Sequence, residues 1–304
     1  MTSTPRSTRS RVPHFRPCRA PATAITALIL ALGFTPPARA SAQNPPPGDN
    51  RTVVPRDTAH AEHRRTLFTY RDAILAASFA GLTFAMFPLD ENVARQIHQD
   101  STFNGFTQKS AVGFETISSP GAYIIGGSLY LVGRVARRPD LADFGWHGTE
   151  ALLVANGLTG LLKGTLGRAR PFVSNDTNPR DFHFGGGFGN ADRQSFPSGH
   201  TSTAFAAASA VTSEIRRLHP KALPYVATVM YGGATLVGLS RMYHNKHWAS
   251  DVALGAAIGT FSGLKVVRYS HAHRDNKVDR VILHAVIAPD GTGGGYLGFA
   301  LPAP

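Results

Sequence analysis

Cysteine is almost absent from this sequence. The 304 residues contain one cysteine, Cys18, which lies in an N-terminal stretch that we predict to be removed. A lone cysteine cannot close a disulfide within the chain, and its removal leaves no thiol at all. The processed protein is therefore predicted to have neither disulfide bonds nor thiol chemistry, even in an oxidising compartment.

Acidic residues are also scarce, since 19 Asp and Glu stand against 31 Lys and Arg, for a formal charge of +12. Six arginines and no acidic residue fall in residues 1–42, which accounts for half of that charge. The basic remainder suits an anionic substrate or an anionic membrane surface. No stretch interleaves basic and aromatic residues, so we predict no nucleic-acid partner.

The N-terminus resembles a secretory signal peptide. Arginines come first, an apolar run follows from Ala22 to Phe34, and small-residue cleavage patterns follow at 38–40 and 40–42. We therefore predict a signal peptide over residues 1–42, cleaved before Gln43, and a protein exported to the periplasm or cell envelope. The alternative is an uncleaved membrane anchor, although the apolar run is short for a spanning helix.

Apolar runs of membrane-spanning length are rare as well. Six segments rich in Ala, Gly and Leu predict closely packed helices, namely Ala73–Phe87, Gly121–Gly133, Ala151–Leu162, Thr201–Thr212, Leu223–Ser240 and Val252–Leu264. Only Leu223–Ser240 approaches the roughly 20 residues that a span needs. The mean hydropathy of −0.10 is low for six spans. We predict membrane association, with peripheral and integral attachment both open.

The helical segments define a domain over residues 70–272, with different patterns on either side. Residues 43–69 are rich in Pro, Asp and Arg and have no apolar period, so we predict a disordered lead-in. In the tail, residues 273–304, Val281–Ile287 and Tyr296–Leu301 flank a Gly-rich turn. This pattern predicts a small C-terminal β-hairpin.

Three short motifs stand at the ends of the apolar segments, where one mouth of a helical bundle could bring them together. They are Lys163 with Arg170-Pro171, then Pro197-Ser198-Gly199-His200, then Ser240-Arg241 with His247 and Asp251. A phosphoryl group carries its charge on three oxygens, and Lys163, Arg170 and Arg241 could neutralise it without a metal. No cluster has metal-ligand spacing, so we predict no metal and no cofactor for this chemistry.

The second motif adds a helix start. Ser198 and Gly199 precede the apolar run from Thr201, and unpaired backbone N–H groups at a helix start bind anions readily. His200 could protonate a leaving oxygen. His247 and Asp251 are four residues apart, so the carboxylate could hold one ring nitrogen and leave the other as a nucleophile.

Each residue also has a purely structural interpretation. Lys163 could end an apolar stretch, and the second motif could be a turn before a helix. We interpret Arg168 as a solvated surface charge. Three histidines are interpreted as structural, namely His147, His183 and His244. The Gly-rich loop of residues 172–196 is interpreted as flexible, or alternatively as a lid in which His183 contacts substrate.

All three motifs together resemble the signature of the type 2 phosphatidic acid phosphatase and vanadium haloperoxidase superfamily, over roughly residues 70 to 270. The resemblance implies an all-α bundle with a core of about six helices. It implies phosphate binding by Lys163, Arg170, Ser198, Gly199 and Arg241. It also implies His247 as the nucleophile, Asp251 as its partner and His200 as the general acid.

The resemblance implies a metal-independent phosphatase of phosphomonoesters or diphosphates, which we predict to be lipid phosphates, acting through a phosphohistidine. A vanadium-dependent haloperoxidase is the first alternative, although the chain is short and lacks a large extra helical domain. A non-catalytic envelope protein is the second. Burying so many charged residues without a ligand would be costly, which counts against it.

Overall fold

The structure is a computed structural model that describes residues 67–99, 105–273, 276–283, 285–289 and 295–299. The predicted signal peptide, its cleavage site and nearly all of the lead-in lie outside these residues. Those assignments stay predictions.

The described residues form nine α-helices: α1 Tyr70–Met86, α2 Asp90–Gln99, α3 Gly105–Thr116, α4 Ala122–Val135, α5 Pro139–Leu166, α6 Gly199–Leu218, α7 Leu223–Tyr243, α8 Ala249–Ala272 and α9 Lys277–Leu283. Short 3₁₀ turns cover Phe87–Leu89, Pro171–Ser174, Ala191–Arg193 and Pro220–Ala222, and a π-helical turn covers Ile117–Gly121. The predicted helical class is confirmed.

Local sequence explains where the helices that carry the motifs begin and end. Pro139 occupies the first turn of α5, where its missing N–H costs nothing. Gly167 ends that helix with a φ of 58°, a left-handed conformation that glycine adopts without strain. Asp251 caps α8, because its Oδ2 accepts a hydrogen bond of 2.8 Å from the Trp248 N–H. The motif residues therefore lie where helices stop or start.

Helices α6 and α8 form the centre of the bundle and pack directly on each other, with α5 and α7 alongside. A row of glycines on α8, Gly255, Gly259 and Gly263, makes this contact possible. A Cβ atom at each would overlap a backbone carbonyl oxygen of α6 or of its N-cap. The prediction that the Ala- and Gly-rich segments pack closely is thus explained by backbone-to-backbone contact.

The helices are longer than the apolar segments that predicted them. Three helical segments are long and apolar enough to cross a membrane, by length and composition: Tyr70–His98, Pro220–Tyr243 and Ala249–Ala272. Our expectation that only one segment approaches that length was wrong. Polar flanking residues such as Ser250 and His271 continue the helix without adding hydropathy, so counting apolar residues alone underestimates helix length.

Two short strands, Ala285–Pro289 and Gly295–Phe299, pair antiparallel near the C-terminus, with Ile287 opposite Leu297. The turn that would join them, residues 290–294, lies outside the described residues. The predicted hairpin therefore stays a prediction.

Candidate active site

The three motifs meet at one end of the bundle. Lys163 lies in the last turn of α5, Gly199 is the first residue of α6, and Arg241 lies in the last turn of α7. The loop between α7 and α8 then supplies His247. Four helix termini thus converge, as the positions of the motifs beside apolar segments predict.

The cations of the site lie close together, with Arg241 buried and Lys163 and Arg170 half-buried. Lys163 Nζ donates a hydrogen bond of 2.5 Å to the Gln194 carbonyl. Burial, and then repulsion by Arg170, lowers the pKa of Lys163 to about 7. Burial also lowers the pKa of Arg170, with repulsion by Arg241 as the next cause. Positive charge is therefore concentrated beyond what the surrounding protein neutralises.

Two guanidinium donors in this site have no hydrogen-bond partner within the described part of the chain. They are the buried Nε atoms of Arg170 and Arg241. Buried donors are nearly always paired, so unpaired ones call for an absent ligand that accepts hydrogen bonds. An anion with several acceptor oxygens would satisfy both.

The start of α6 lies beside these cations. Ser198 is the N-cap and is fully buried, and its N–H donates 2.9 Å to the Asp251 carbonyl. A Cβ at Gly199 would stand 3.6 Å from Lys163 Cε, so the bare glycine leaves room beside the lysine. The first N–H groups of a helix have no intrahelical partner and point at such a space.

His247 is held in one tautomer by backbone. Its side chain is buried, and Nδ1 lies 2.7 Å from the Ser195 carbonyl oxygen. A carbonyl only accepts, so Nδ1 must carry the proton and Nε2 keeps its lone pair. Burial, followed by repulsion from Lys163, lowers the pKa of His247 to about 3. The ring is therefore neutral near pH 7, as a nucleophile must be.

Asp251 does not hold a ring nitrogen of His247 directly, as the sequence analysis expected. Its Oδ2 lies 3.6 Å from His247 Nδ1, too far for a hydrogen bond, and the Ser195 carbonyl takes the predicted place. The same oxygen accepts 2.5 Å from Ser195 Oγ and 2.8 Å from Trp248 N–H. Asp251 thus supports His247 through charge and through the position of Ser195.

His200 is a neutral base near pH 7. Burial, and then repulsion by Arg241, lowers its pKa to about 4. A general acid must hold a proton, so His200 can fill that role only once a bound anion offsets the three cations.

Residues 145–275, less than half of the chain, match the profile of the PAP2 superfamily. We call these residues the PAP2 segment. A lipid A 1-phosphatase of Porphyromonas gingivalis is 44% identical over 69 residues, which are 23% of this chain and 15% of that protein's length. The chain therefore spans only a small part of the curated relative it matches.

Two solved structures resemble this chain at low identity. A transmembrane PAP2-type phosphatidylglycerolphosphate phosphatase from Bacillus subtilis is 20% identical, with a TM-score of 0.48. The match covers 67% of this chain and 97% of the Bacillus chain. Aquifex aeolicus LpxE is 22% identical, with a TM-score of 0.40. The match covers 60% of this chain and 96% of the LpxE chain.

Arg168 of the PAP2 segment is the main correction to the sequence analysis. It is not a surface charge, because its exposed fraction is 0%. Its Nη1 donates 2.5 Å to Asp251 Oδ1 and its Nη2 donates 2.7 Å to Asp90 Oδ2. Four aromatic rings surround its Cζ at 5.0 to 5.6 Å, those of Phe87, Phe182, Phe196 and Trp248. Its position two residues before Arg170, a proposed phosphate ligand, was the sequence feature that could have indicated a place near the site.

Glu115 was also missed by the sequence analysis. Its Oε2 lies 2.5 Å from Arg241 Nη1, and its Oε1 lies 2.6 Å from His244 Nδ1. A carboxylate thus occupies one face of a proposed phosphate-binding arginine. Glu115 is the penultimate residue of α3 and lies outside the three motifs, so no sequence pattern indicated it.

The Gly-rich loop of the PAP2 segment is anchored to the end of α5. The Gly185 N–H donates 2.7 Å to the Thr165 carbonyl, and the Gly187 N–H donates 3.2 Å to the Gly164 carbonyl. These bonds satisfy carbonyls that a helix C-terminus leaves unpaired. The loop is thus hydrogen-bonded to α5 at its glycines, while Phe184 and Phe188 are exposed at its surface.

Proposed function

We propose that this protein is a metal-independent phosphatase of lipid phosphates that acts through a phosphohistidine on His247. The observation that carries the proposal is the pair of buried, unpaired arginine donors beside a neutral histidine with a free Nε2. The proposed phosphate ligands are Lys163, Arg170, Ser198, Gly199 and Arg241. The proposed catalytic residues are His200, His247 and Asp251.

In the first proposed step, His247 Nε2 attacks phosphorus and the bond from phosphorus to the ester oxygen breaks. The leaving oxygen takes the proton of His200, and the released alcohol departs. In the second step a water oxygen attacks phosphorus as the bond to Nε2 breaks, and His200 accepts the proton of that water. The products are the alcohol and inorganic phosphate, and both histidines return to their starting state.

The cations contribute by stabilising charge on the transferring group. A bound phosphate supplies negative charge beside Lys163 and His200, and this opposes the repulsion that lowers their pKa values. Binding of the dianion thereby raises the pKa of His200, so that the ring takes up the proton that a general acid needs.

A lipid substrate is supported by an apolar cavity of about 370 Å³ that begins beside the phosphate site. Phe114 and Val237 line one end, next to Glu115 and one turn before Arg241, while Phe144 and Val229 line the other. Eight residues of α7 separate Val237 from Val229, which is about 12 Å of helix. An acyl chain fits such a groove, and the name of the Porphyromonas relative points to a lipid substrate as well.

We further propose that the protein is integral to the membrane and exported, with residues 1–42 as a cleaved signal peptide and the two C-terminal strands joined as a hairpin. The three apolar helical segments support integration. N-terminal sequencing of envelope protein would test the cut at Gln43. Release into a carbonate wash would contradict integral attachment.

Phosphate release from a panel of lipid phosphates and soluble phosphomonoesters, measured in detergent with and without EDTA, tests the main proposal. We expect turnover of lipid phosphates that survives EDTA, is inhibited by vanadate and leaves an acid-labile phosphoenzyme. Activity that EDTA abolishes and Mg²⁺ restores would contradict it. Bromide oxidation by vanadate-loaded protein would favour the haloperoxidase alternative, and inactivity in both assays would favour the non-catalytic one.

A further inference from the structure

A second polar cluster lies at the opposite end of the bundle. It consists of His147 from α5, Glu214 from α6 and His271 from α8, together called the His147 cluster. Glu214 is fourteen residues after His200 on α6, or about 21 Å along the helix. His271 is twenty residues after Asp251 on α8, or about 30 Å. The cluster is therefore separate from the phosphate site.

The two histidines of the His147 cluster converge on one oxygen. Glu214 Oε1 lies 3.1 Å from His147 Nδ1 and 2.7 Å from His271 Nε2. The three atoms lie within 4.8 Å of one another. The side chains of His147 and Glu214 are 3% and 2% exposed, whereas His271 is 20% exposed and leaves one side open.

An outer layer of polar groups holds these three side chains in place. Arg217 Nε donates 3.1 Å to Glu214 Oε2. His147 Nε2 is buried and has no hydrogen-bond partner in the described part of the chain, and it faces Asp279 Oδ2 at 3.6 Å. The Trp146 indole N–H in turn donates 2.9 Å to Asp279 Oδ1. At 3.6 Å Asp279 does not hydrogen-bond to His147, but its carboxylate stands beside the far nitrogen, the position from which a carboxylate orients a metal-binding histidine.

Carboxylates and arginines both lie around the His147 cluster. Asp143 and Glu150 lie near Glu214 and Asp279, whereas Arg217 pairs with Glu214, and Arg216 and Arg268 line the cavity beside His271. A single ring would be enough to hydrogen-bond Glu214 Oε1, so the convergence of a second ring on the same oxygen points to a shared ligand.

We propose that His147, Glu214 and His271 bind a divalent transition-metal ion of the zinc type. Two imidazoles and one carboxylate suit Zn²⁺, Co²⁺ or Ni²⁺, whereas Mg²⁺ and Ca²⁺ prefer all-oxygen ligands. Binding would displace the proton between His147 and Glu214. The ion would fasten α5, α6 and α8 together at the end away from the phosphate chemistry. This proposal does not rest on the proposed function.

Metal titration of the full-length, tag-free chain in detergent, after dialysis against a chelator, tests the proposal. We expect one Zn²⁺ per chain by calorimetry and visible absorption bands from bound Co²⁺. His271→Ala should weaken Zn²⁺ binding at least tenfold, because it removes a ligand at the exposed edge, where folding is least affected. His273→Ala, two residues further along at an exposed position, is the matched control and should bind as the parent does.

Either of two outcomes of the metal titration would overturn the proposal. Absence of stoichiometric binding, or equal binding by the His271→Ala and His273→Ala variants, would mean that the cluster is a proton-bridged network only. Asp279→Asn gives a second measurement, since it leaves all three ligands in place. It should weaken Zn²⁺ binding about tenfold if Asp279 orients His147, and an unchanged affinity would also count against the site.

Discussion

The two ends of this bundle differ in how their buried polar groups are paired. At the phosphate end, the buried Nε atoms of Arg170 and Arg241 have no hydrogen-bond partner in the described part of the chain. At the far end, two histidines share one Glu214 oxygen. From this comparison we infer that unpaired buried donors indicate an anionic ligand at one end, whereas converging histidines indicate a metal ion at the other.

The largest expected effect comes from removing the nucleophile. His247→Ala should abolish turnover and the acid-labile phosphoenzyme, because it removes the ring whose Nε2 is proposed to attack phosphorus. Phosphate release and phosphoenzyme trapping measure this. His219→Ala, at an exposed position after α6, is the control and should behave as the parent. Activity above a few percent in His247→Ala would reject the assignment.

Arg168 and Arg170 are two residues apart, but we expect the first to stabilise the fold and the second to bind phosphate. Arg168→Ala should destabilise the fold by about 3–5 kcal/mol, since it leaves Asp90 and Asp251 buried without their partner. Arg170→Ala should abolish most activity at unchanged or higher stability, because it relieves repulsion around an unpaired group. Thermal unfolding and phosphate release separate the two. Equal destabilisation by both variants would contradict the distinction.

The pH dependence of kcat/KM tests the charge excess at the phosphate end. Lys163 keeps its proton below a pKa of about 7, so activity should fall as pH rises through that value. On the acid side, His247 has a pKa of about 3 and keeps its lone pair, so its protonation should cause no fall in activity through pH 5 to 6.

Lys163→Arg should move the alkaline limb to higher pH, because a guanidinium keeps its proton there. An alkaline limb that does not move would show that another group sets it. An acid limb near pH 6.5 would indicate a histidine with an ordinary pKa.

The smallest predicted effect concerns the carboxylate that already contacts the phosphate site. Glu115→Gln should strengthen vanadate inhibition several-fold, because it removes the negative charge that competes for Arg241. Inhibition curves on the two proteins measure this. Glu91→Gln, which disrupts a partly exposed pair with Arg95, is the control. Weaker vanadate binding in Glu115→Gln would mean that Glu115 positions Arg241 rather than competing for it.

The sequence predicted what depends on short-range pattern. Motif spacing placed Lys163, Gly199 and His247 at helix ends, and the structure brings those ends together. It failed where long-range partners decide. Arg168 is buried because Asp90, 78 residues earlier, meets it, and no local pattern encodes that contact. Helix lengths were underestimated because polar residues continue a helix that apolar counting ends.

The His147 cluster escaped sequence analysis for the same reason. His147, Glu214 and His271 lie on three helices, far apart in the chain, and meet only through packing. The His247 Nδ1–H donates to the Ser195 carbonyl rather than to Asp251, and tertiary geometry decides this too. Residue type and spacing named the participants in the candidate site, and the fold decides how they are joined.

The glycine row of α8 also determines which parts of the molecule can move. Gly255 rests against the Ser198 carbonyl and Gly259 against the Ser202 carbonyl, so α6 and α8 touch through their main chains. Sliding one helix along the other would drive backbone into backbone. The helix that carries His200 and the helix that follows His247 therefore behave as one rigid body. Movement that widens the apolar cavity would then fall to the other helices that line it, α3, α4, α5 and α7.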